Sequence, residues 1–221
     1  DEALVPDTGW LASPQWKSVS GRFHIKADYV GMHENLLDQT HFPFLHPGAI
    51  GTPEYARSKL KVRLQDDQVI IDRELRDSPP PAVYGVPTGL TGQPVDRFSD
   101  ARFVSPALHT AYARIVDNHD ASGAPRTYRF NITHLFTPET NHSIHYWWFN
   151  SRNFRLDDAA VDEHLQVQEL RSQEKQQKMS IVASDEDVNE ELAEMARGNN
   201  MSLDQFSKSL VAQGIGISTL K

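Results

Sequence analysis

Cysteine is absent from the 221 residues. The chain therefore holds no disulfide, no thiolate metal site and no cysteine nucleophile. It cannot carry an iron–sulfur cluster either, because such clusters need at least two thiolate ligands. No apolar run approaches the ~20 residues that cross a bilayer, and no signal peptide opens the sequence. These absences predict a cytoplasmic protein without membrane contact. There is no basic stripe, which argues against nucleic acid as a partner. The nucleophile elbow, the Walker loop and the dinucleotide glycine motif are all missing.

What is present fits a soluble globular chain: 38% hydrophobic and 24% charged residues. The net charge of −8 is unevenly placed. Between Asp157 and Glu194 stand twelve acids and three bases, so the acidic character belongs to one helical stretch.

The hydrophobic rhythm changes along the chain. Residues 1–20 read as an irregular lead-in, and Phe23, Ile25 and Tyr29 as a short extended entry. Leu36, Leu37 and Phe44 have helical spacing over 34–45, with Pro43 expected to bend or end that helix. Leu60, Val62 and Leu64 alternate with charged neighbours, break at Asp66-Asp67 and resume, which predicts a β-hairpin over 59–75. The proline- and glycine-rich segment 78–94 reads as a long loop. Strands are expected over 102–116, 127–136 and 143–149, with a turn at 137–141. Short connections make the sheet antiparallel. From Asp157 to Met179 the texture is helical. Ser184-Asp185-Glu186-Asp187 and Ser202-Leu203-Asp204-Gln205 look like capping boxes that open further helices.

The sharpest signal is Asn35-Leu36-Leu37-Asp38-Gln39-Thr40-His41-Phe42-Pro43-Phe44-Leu45-His46. Two histidines separated by four residues, on a helix that breaks, can converge on one metal. Imidazole suits iron, and one carboxylate completes a facial triad with positions left open for dioxygen. Asp38, three residues before His41, is placed to accept a hydrogen bond from a ligand imidazole and fix its tautomer. On spacing alone, two histidines this close are more often surface or core residues than metal ligands.

Asn35, Asp38, His41 and His46 stand at the N-x2-D-x2-H-x4-H spacing of the catalytic domain of Rieske-type oxygenases. The flanking Leu36-Leu37 and Phe44-Leu45-His46-Pro47-Gly48 resemble the vanillate O-demethylase and dicamba monooxygenase branch, as does the stretch from Thr133 to Asp158. The resemblance covers about 21–165. It implies an α+β, helix-grip (Bet v 1-like) antiparallel sheet with a long helix, followed by a helical tail at 166–221. It implies Fe(II) held by His41 and His46. Asp38 would be the carboxylate bridging to the cluster of a neighbouring subunit, and Asn35 would sit near the iron without ligating it. His134 would face an acidic group of an aromatic substrate, against the plainer reading of a core histidine in a strand. At most one of Trp147 and Trp148 would line the pocket, because adjacent strand residues point to opposite faces; Trp147 is the candidate, against the plainer reading of both as sheet-packing aromatics.

Two departures from that pattern matter. The family's Rieske domain is not in this sequence, so the [2Fe-2S] cluster must come from outside the chain through an electron-transfer protein. The third iron ligand also shifts: an ungapped count lands near Gln177, which is not an anion, and Glu169 or Glu174 is the nearest carboxylate. The Glu174-Lys175-Gln176-Gln177 run favours Glu169. Family members assemble as trimers so that one subunit's cluster reaches the next subunit's iron; the resemblance thus allows a homotrimer, although without a cluster in this sequence that reason for assembly is removed. The segment 169–221 further resembles the N-terminal region of SurA-like periplasmic chaperones, so the tail reads as a foreign segment.

The expected activity is hydroxylation or O-demethylation of an aromatic acid by dioxygen. Two readings compete with it. One is a helix-grip module that binds a hydrophobic ligand around a defective metal site. The other is a chaperone-like interaction protein acting through its tail.

Overall fold

The computed structural model describes residues 6–181 and, beyond them, residues 193, 196, 197, 201, 202 and 205. Seven strands form one antiparallel sheet: β1 (Lys17–Ile25), β2 (Leu60–Gln65), β3 (Gln68–Ser78), β4 (Val95–Ser105), β5 (Leu108–Asp117), β6 (Arg126–Thr140) and β7 (Ser143–Arg152). Their order is β1-β7-β6-β5-β4-β3-β2, a meander whose last strand pairs back onto the first. Over residues 6–181 it is accompanied by the α-helices α1 (Tyr29–Leu37), α2 (Phe42–Leu45), α3 (Pro53–Arg57), α4 (Ala82–Thr88) and the long α5 (Ala159–Ile181). The expected α+β architecture, an antiparallel sheet with one long helix, is what forms.

The β2–β3 hairpin turns at Asp66 and Asp67, both with positive φ (51° and 61°). That suits the two-residue primed turn whose twist matches the flanking strands. Several boundaries differ from the expected ones. The run 102–116 is split into β4 and β5 by a turn at Pro106-Ala107. The run 137–141 is mostly strand, and the β6–β7 turn tightens to Asn141-His142. Part of the lead-in belongs to β1, whereas Tyr29 opens α1. The long loop contains α4.

The helix expected over 34–45 is interrupted earlier than Pro43. α1 starts at Asp28, whose carboxylate accepts from the Val30 and Gly31 amides at 2.7 and 3.1 Å, and stops at Asp38, which has extended ψ (91°). A 3-10 turn, Gln39–His41, follows. Pro43 then occupies the first turn of α2, where its missing N–H costs nothing. Proline here starts a helix that Asp38 has already broken.

Alternation along the central strands sorts the concave face into three zones. On β6, Tyr128 and Phe130 join a core with Ile115, Val161 and Leu165, while Phe136 joins a second core with Ile144, Tyr146 and Trp148. Ile132 and His134 lie between them on the same face, and there the cavity opens. α5 docks through Arg152 of β7, whose buried guanidinium meets Asp162 at 2.6 Å and the Arg155 carbonyl at 2.9 Å.

α5 runs unbroken through position 165, so the expected unit boundary falls inside one helix. At the far end, Ser202 Oγ accepts from the Gln205 amide at 3.2 Å and Gln205 Oε1 from the Ser202 amide at 3.0 Å, the reciprocal pair of a capping box. The box at 184–187, and most of the chaperone-like stretch, lies outside the described residues.

Candidate metal centre

The break at Asp38 sets the direction of both histidines. Asp38 turns its carboxylate onto Thr40, accepting from the amide at 2.8 Å and the hydroxyl at 2.6 Å. His41 ends the 3-10 turn and His46 caps α2. Four residues of helix bring the two rings to a centroid separation of 5.6 Å at 62°. Both are buried, 7% and 4% exposed, and both line one cavity. Rings at this separation reach a shared ion through metal–nitrogen bonds of ~2.1 Å.

The tautomer of His41 follows from its contacts. Its ring hydrogen-bonds to the Asp38 main chain, while Nε2 is buried without any hydrogen-bond partner. Nδ1–H thus faces the Asp38 carbonyl, and Nε2 carries the lone pair. The expected partner was the Asp38 carboxylate; it is committed to Thr40, and the main-chain oxygen takes its place. Burial pushes the His41 pKa down, opposed by the nearby Asp38 charge and the main-chain bond. The neutral ring is the ligating form. An unpartnered buried nitrogen costs ~1–3 kcal/mol, and a metal–nitrogen bond relieves that cost. The pair fits a metal.

The loop after α2 holds this geometry. Thr52 Oγ1 caps α3 by accepting from the Tyr55 amide at 3.2 Å. Tyr55, at 3% exposure, donates its hydroxyl to Gln39 Oε1 at 2.6 Å and stacks on Phe42 at 5.8 Å. The 3-10 turn and α2 are thereby fixed to α3.

The cavity measures about 130 Å³, close to the ~150 Å³ that admits a benzene-sized ring. Asn35, His41, His46, His134 and Glu169 all line it, the last from α5. Among the described residues, however, no three His, Asp or Glu side chains stand close enough to hold a metal together, so Glu169 shares the cavity without closing a triad. The side chain of Glu174 lies outside the described residues. Asp38 is not in the wall. Trp147 is placed away from it: pairing sets Trp148 beside His134 on the concave face, which turns Trp147 to the opposite face, beneath the Arg22 guanidinium at 5.2 Å. Trp148 itself is consumed in the core.

His134 is 9% exposed, with Nδ1 2.7 Å from the Tyr146 hydroxyl. Burial pushes its pKa down to about 4, so it meets a ligand as a neutral ring. Across the sheet it pairs with His109, whose Nε2 lies 2.6 Å from His33 Nδ1.

The sequence reading passed over Arg97, which lines the same cavity. Its phase with Val95 and Ala101 on one strand face was the available signal, obscured because the strand was started at Arg102.

The family described as vanillate O-demethylase oxygenase C-terminal domain matches residues 25–199. The chain belongs to this family. Among its curated relatives, the vanillate O-demethylase oxygenase subunit of Pseudomonas sp. strain HR199 is 31% identical over 175 residues, covering 76% of this chain and 49% of the relative. The oxygenase component of chloroacetanilide N-alkylformylase from Rhizorhabdus wittichii is 31% identical over 149 residues, 66% of this chain and 42% of the relative. The chain spans about half the length of the curated relatives it matches. Among solved structures, dicamba monooxygenase bound to dicamba superposes with a TM-score of 0.71 at 19% identity, over 96% of this chain and 62% of that one. The helix-grip fold is shared.

Proposed function

We propose that this chain is the iron-bearing part of an oxygenase component that demethylates or hydroxylates a small aromatic acid. The observation that carries the reading is the buried, unpartnered Nε2 of His41 beside His46 at the floor of a ring-sized cavity. Family membership supports it: the relatives named above are O-demethylase and N-alkylformylase oxygenase components, and a solved relative carries the description dicamba monooxygenase with non-heme iron.

His41 and His46 would hold Fe(II), with Glu169 as the carboxylate. Bound iron supplies the redox chemistry that turns dioxygen on a carbon–hydrogen bond. The chain's own residues do the rest. Ile132, Ala101 and Ala111 give the ring an apolar wall that excludes water. His134, held by Tyr146, offers a neutral hydrogen-bonding nitrogen to a polar substituent, and Asn35 stands beside the histidines. Asp38, partly exposed behind His41, is assigned to the approach of a separate electron-transfer protein carrying the [2Fe-2S] cluster.

The test is metal content. Anaerobic reconstitution with Fe(II) should load one iron per chain. His41→Ala with His46→Ala should abolish loading while the far-ultraviolet spectrum is unchanged, and Glu169→Ala should weaken it. A folded wild type that takes up no iron, yet binds aromatic ligands, would leave a ligand-binding module instead.

A further inference from the structure

Among the described residues of the cavity wall, Arg97 is the cation. It is only 4% exposed. Its guanidinium stacks over Tyr55 at 4.7 Å and Tyr84 at 5.8 Å, and its Nη2 is buried with no hydrogen-bond partner among the described residues. Glu169, also in the wall, is the carboxylate assigned above to iron, and two other nearby acids are engaged elsewhere. Asp100, also in the wall, is held by Arg102 at 2.7 and 3.1 Å, and Glu54 pairs with Arg57 at 3.4 Å. A second buried guanidinium, Arg73, covers the Tyr55 ring at 4.6 Å. Its Nη1 is spent on the Tyr55 and Ser58 carbonyls and the Ser58 hydroxyl, each at 3.1 Å.

This arrangement places two like charges around one tyrosine and pairs Arg97 with no described carboxylate. A guanidinium does not escape by losing its proton. Cation–π contact offsets only part of the cost of a buried unpaired charge. What the site lacks is an anion at Nη2, and the cavity beside it has the size of one aromatic ring. His134 does not supply the charge, since burial keeps it neutral.

We infer that Arg97 is the anion anchor of the cavity, binding the carboxylate or sulfonate of an aromatic acid through its unpartnered Nη2 while the ring rests on Ile132 and Ala101. The inference deepens the oxygenase reading and rests on it for what happens at the ring, but not for binding. Charge-assisted hydrogen bonds to a guanidinium are among the stronger recognition contacts. Arg97 is then what separates acids from their neutral isosteres, with His134 adding a hydrogen bond.

The full chain, freed of iron, is titrated calorimetrically with benzoate, benzenesulfonate and benzamide. Both anions should bind at least tenfold more tightly than the amide. Arg97→Gln should bring the anions to the level of benzamide and leave benzamide itself unchanged, and Arg97→Lys should keep a reduced preference. Benzoate should raise the melting temperature of the wild type and not of Arg97→Gln. The inference is overturned if the wild type shows no preference for the anions, or if Arg97→Gln retains it. It is equally overturned if the preference vanishes in His134→Gln and survives in Arg97→Gln, or if benzamide binding falls in parallel, which marks a structural role. Iron loading, measured separately, keeps the two ideas apart: lost iron with intact anion preference sinks only the oxygenase reading, and the converse sinks only this one.

Discussion

Gly51 passes so close to Phe42 that a Cβ on the glycine would stand 2.2 Å from the Phe42 carbonyl oxygen and 2.5 Å from Pro43 Cα. Both obstacles are main chain and do not swing aside. The loop also hands its Ile50 and Gly51 amides to the His46 carbonyl, at 3.2 and 3.1 Å. The position of α2, and with it the meeting of the two histidine rings, depends on this contact. Gly51→Ala should displace α2. We expect a loss of about 1–3 kcal/mol in denaturant unfolding, the usual cost of overpacking, together with at least tenfold weaker iron binding. Unchanged iron affinity would show that α2 is positioned by something else.

A second close approach lies away from the site and serves as its control. A Cβ on Gly21 of β1 would meet the Trp148 indole at 2.7 Å, and that indole is wholly buried between Ile144 and Met32. Gly21→Ala should cost about 1–3 kcal/mol by the same mechanism. Metal affinity in the folded fraction should stay at the wild-type value, because the displaced ring lies in the second core and not in the cavity wall. Calorimetric melting alongside iron titration separates the two glycines.

Asp38 has a local duty whatever its part in electron transfer. Its carboxylate caps the 3-10 turn through Thr40. Asp38→Ala should destabilise by about 0.5–2 kcal/mol, the worth of an N-cap, and Asp38→Asn should recover most of it. An equal loss from both variants, in urea titration, would shift the explanation from the hydrogen bond to the charge.

Acid should unfold the protein from the inside. His109 is pushed down to about 3 by burial and by its histidine neighbours, and His134 to about 4 by burial. Both remain neutral in the fold at pH values where an unfolded histidine, near 6.5, has already taken a proton. Their contribution is therefore complete above about pH 6.5 and is lost progressively as pH falls through each folded value. Each pKa unit is worth ~1.4 kcal/mol, so the melting temperature should drop steeply between pH 6.5 and 4. His109→Gln, neutral throughout, should flatten that slope. A slope identical to wild type would assign the acid sensitivity to other groups.

The meeting of the two candidate histidines was legible in the sequence because it is local. Asn35, His41 and His46 lie within three turns of chain, and their spacing survives the surprise that Asp38, not Pro43, breaks the helix. The β2–β3 hairpin was legible for the same reason, an alternating run either side of Asp66-Asp67. Arg97 was not. Its inward direction comes from pairing with Leu75 on one side and Ile115 on the other, both buried; its phase with Val95 and Ala101 is a local cue, but it does not say which face turns inward. The choice between Trp147 and Trp148 was likewise made by pairing with His134 and Gly21.

By itself, then, the sequence determined which residues can ligate, where the chain turns and which class of sheet it builds, since short-range sterics, capping and hydrophobic alternation act within a few residues. The tertiary structure decided which imidazole lone pair is left without a partner, which tryptophan the core takes and which cation is buried without a counter-charge. Those outcomes depend on strand register and on loops crossing at van der Waals distance, and both are settled only when remote segments pack together.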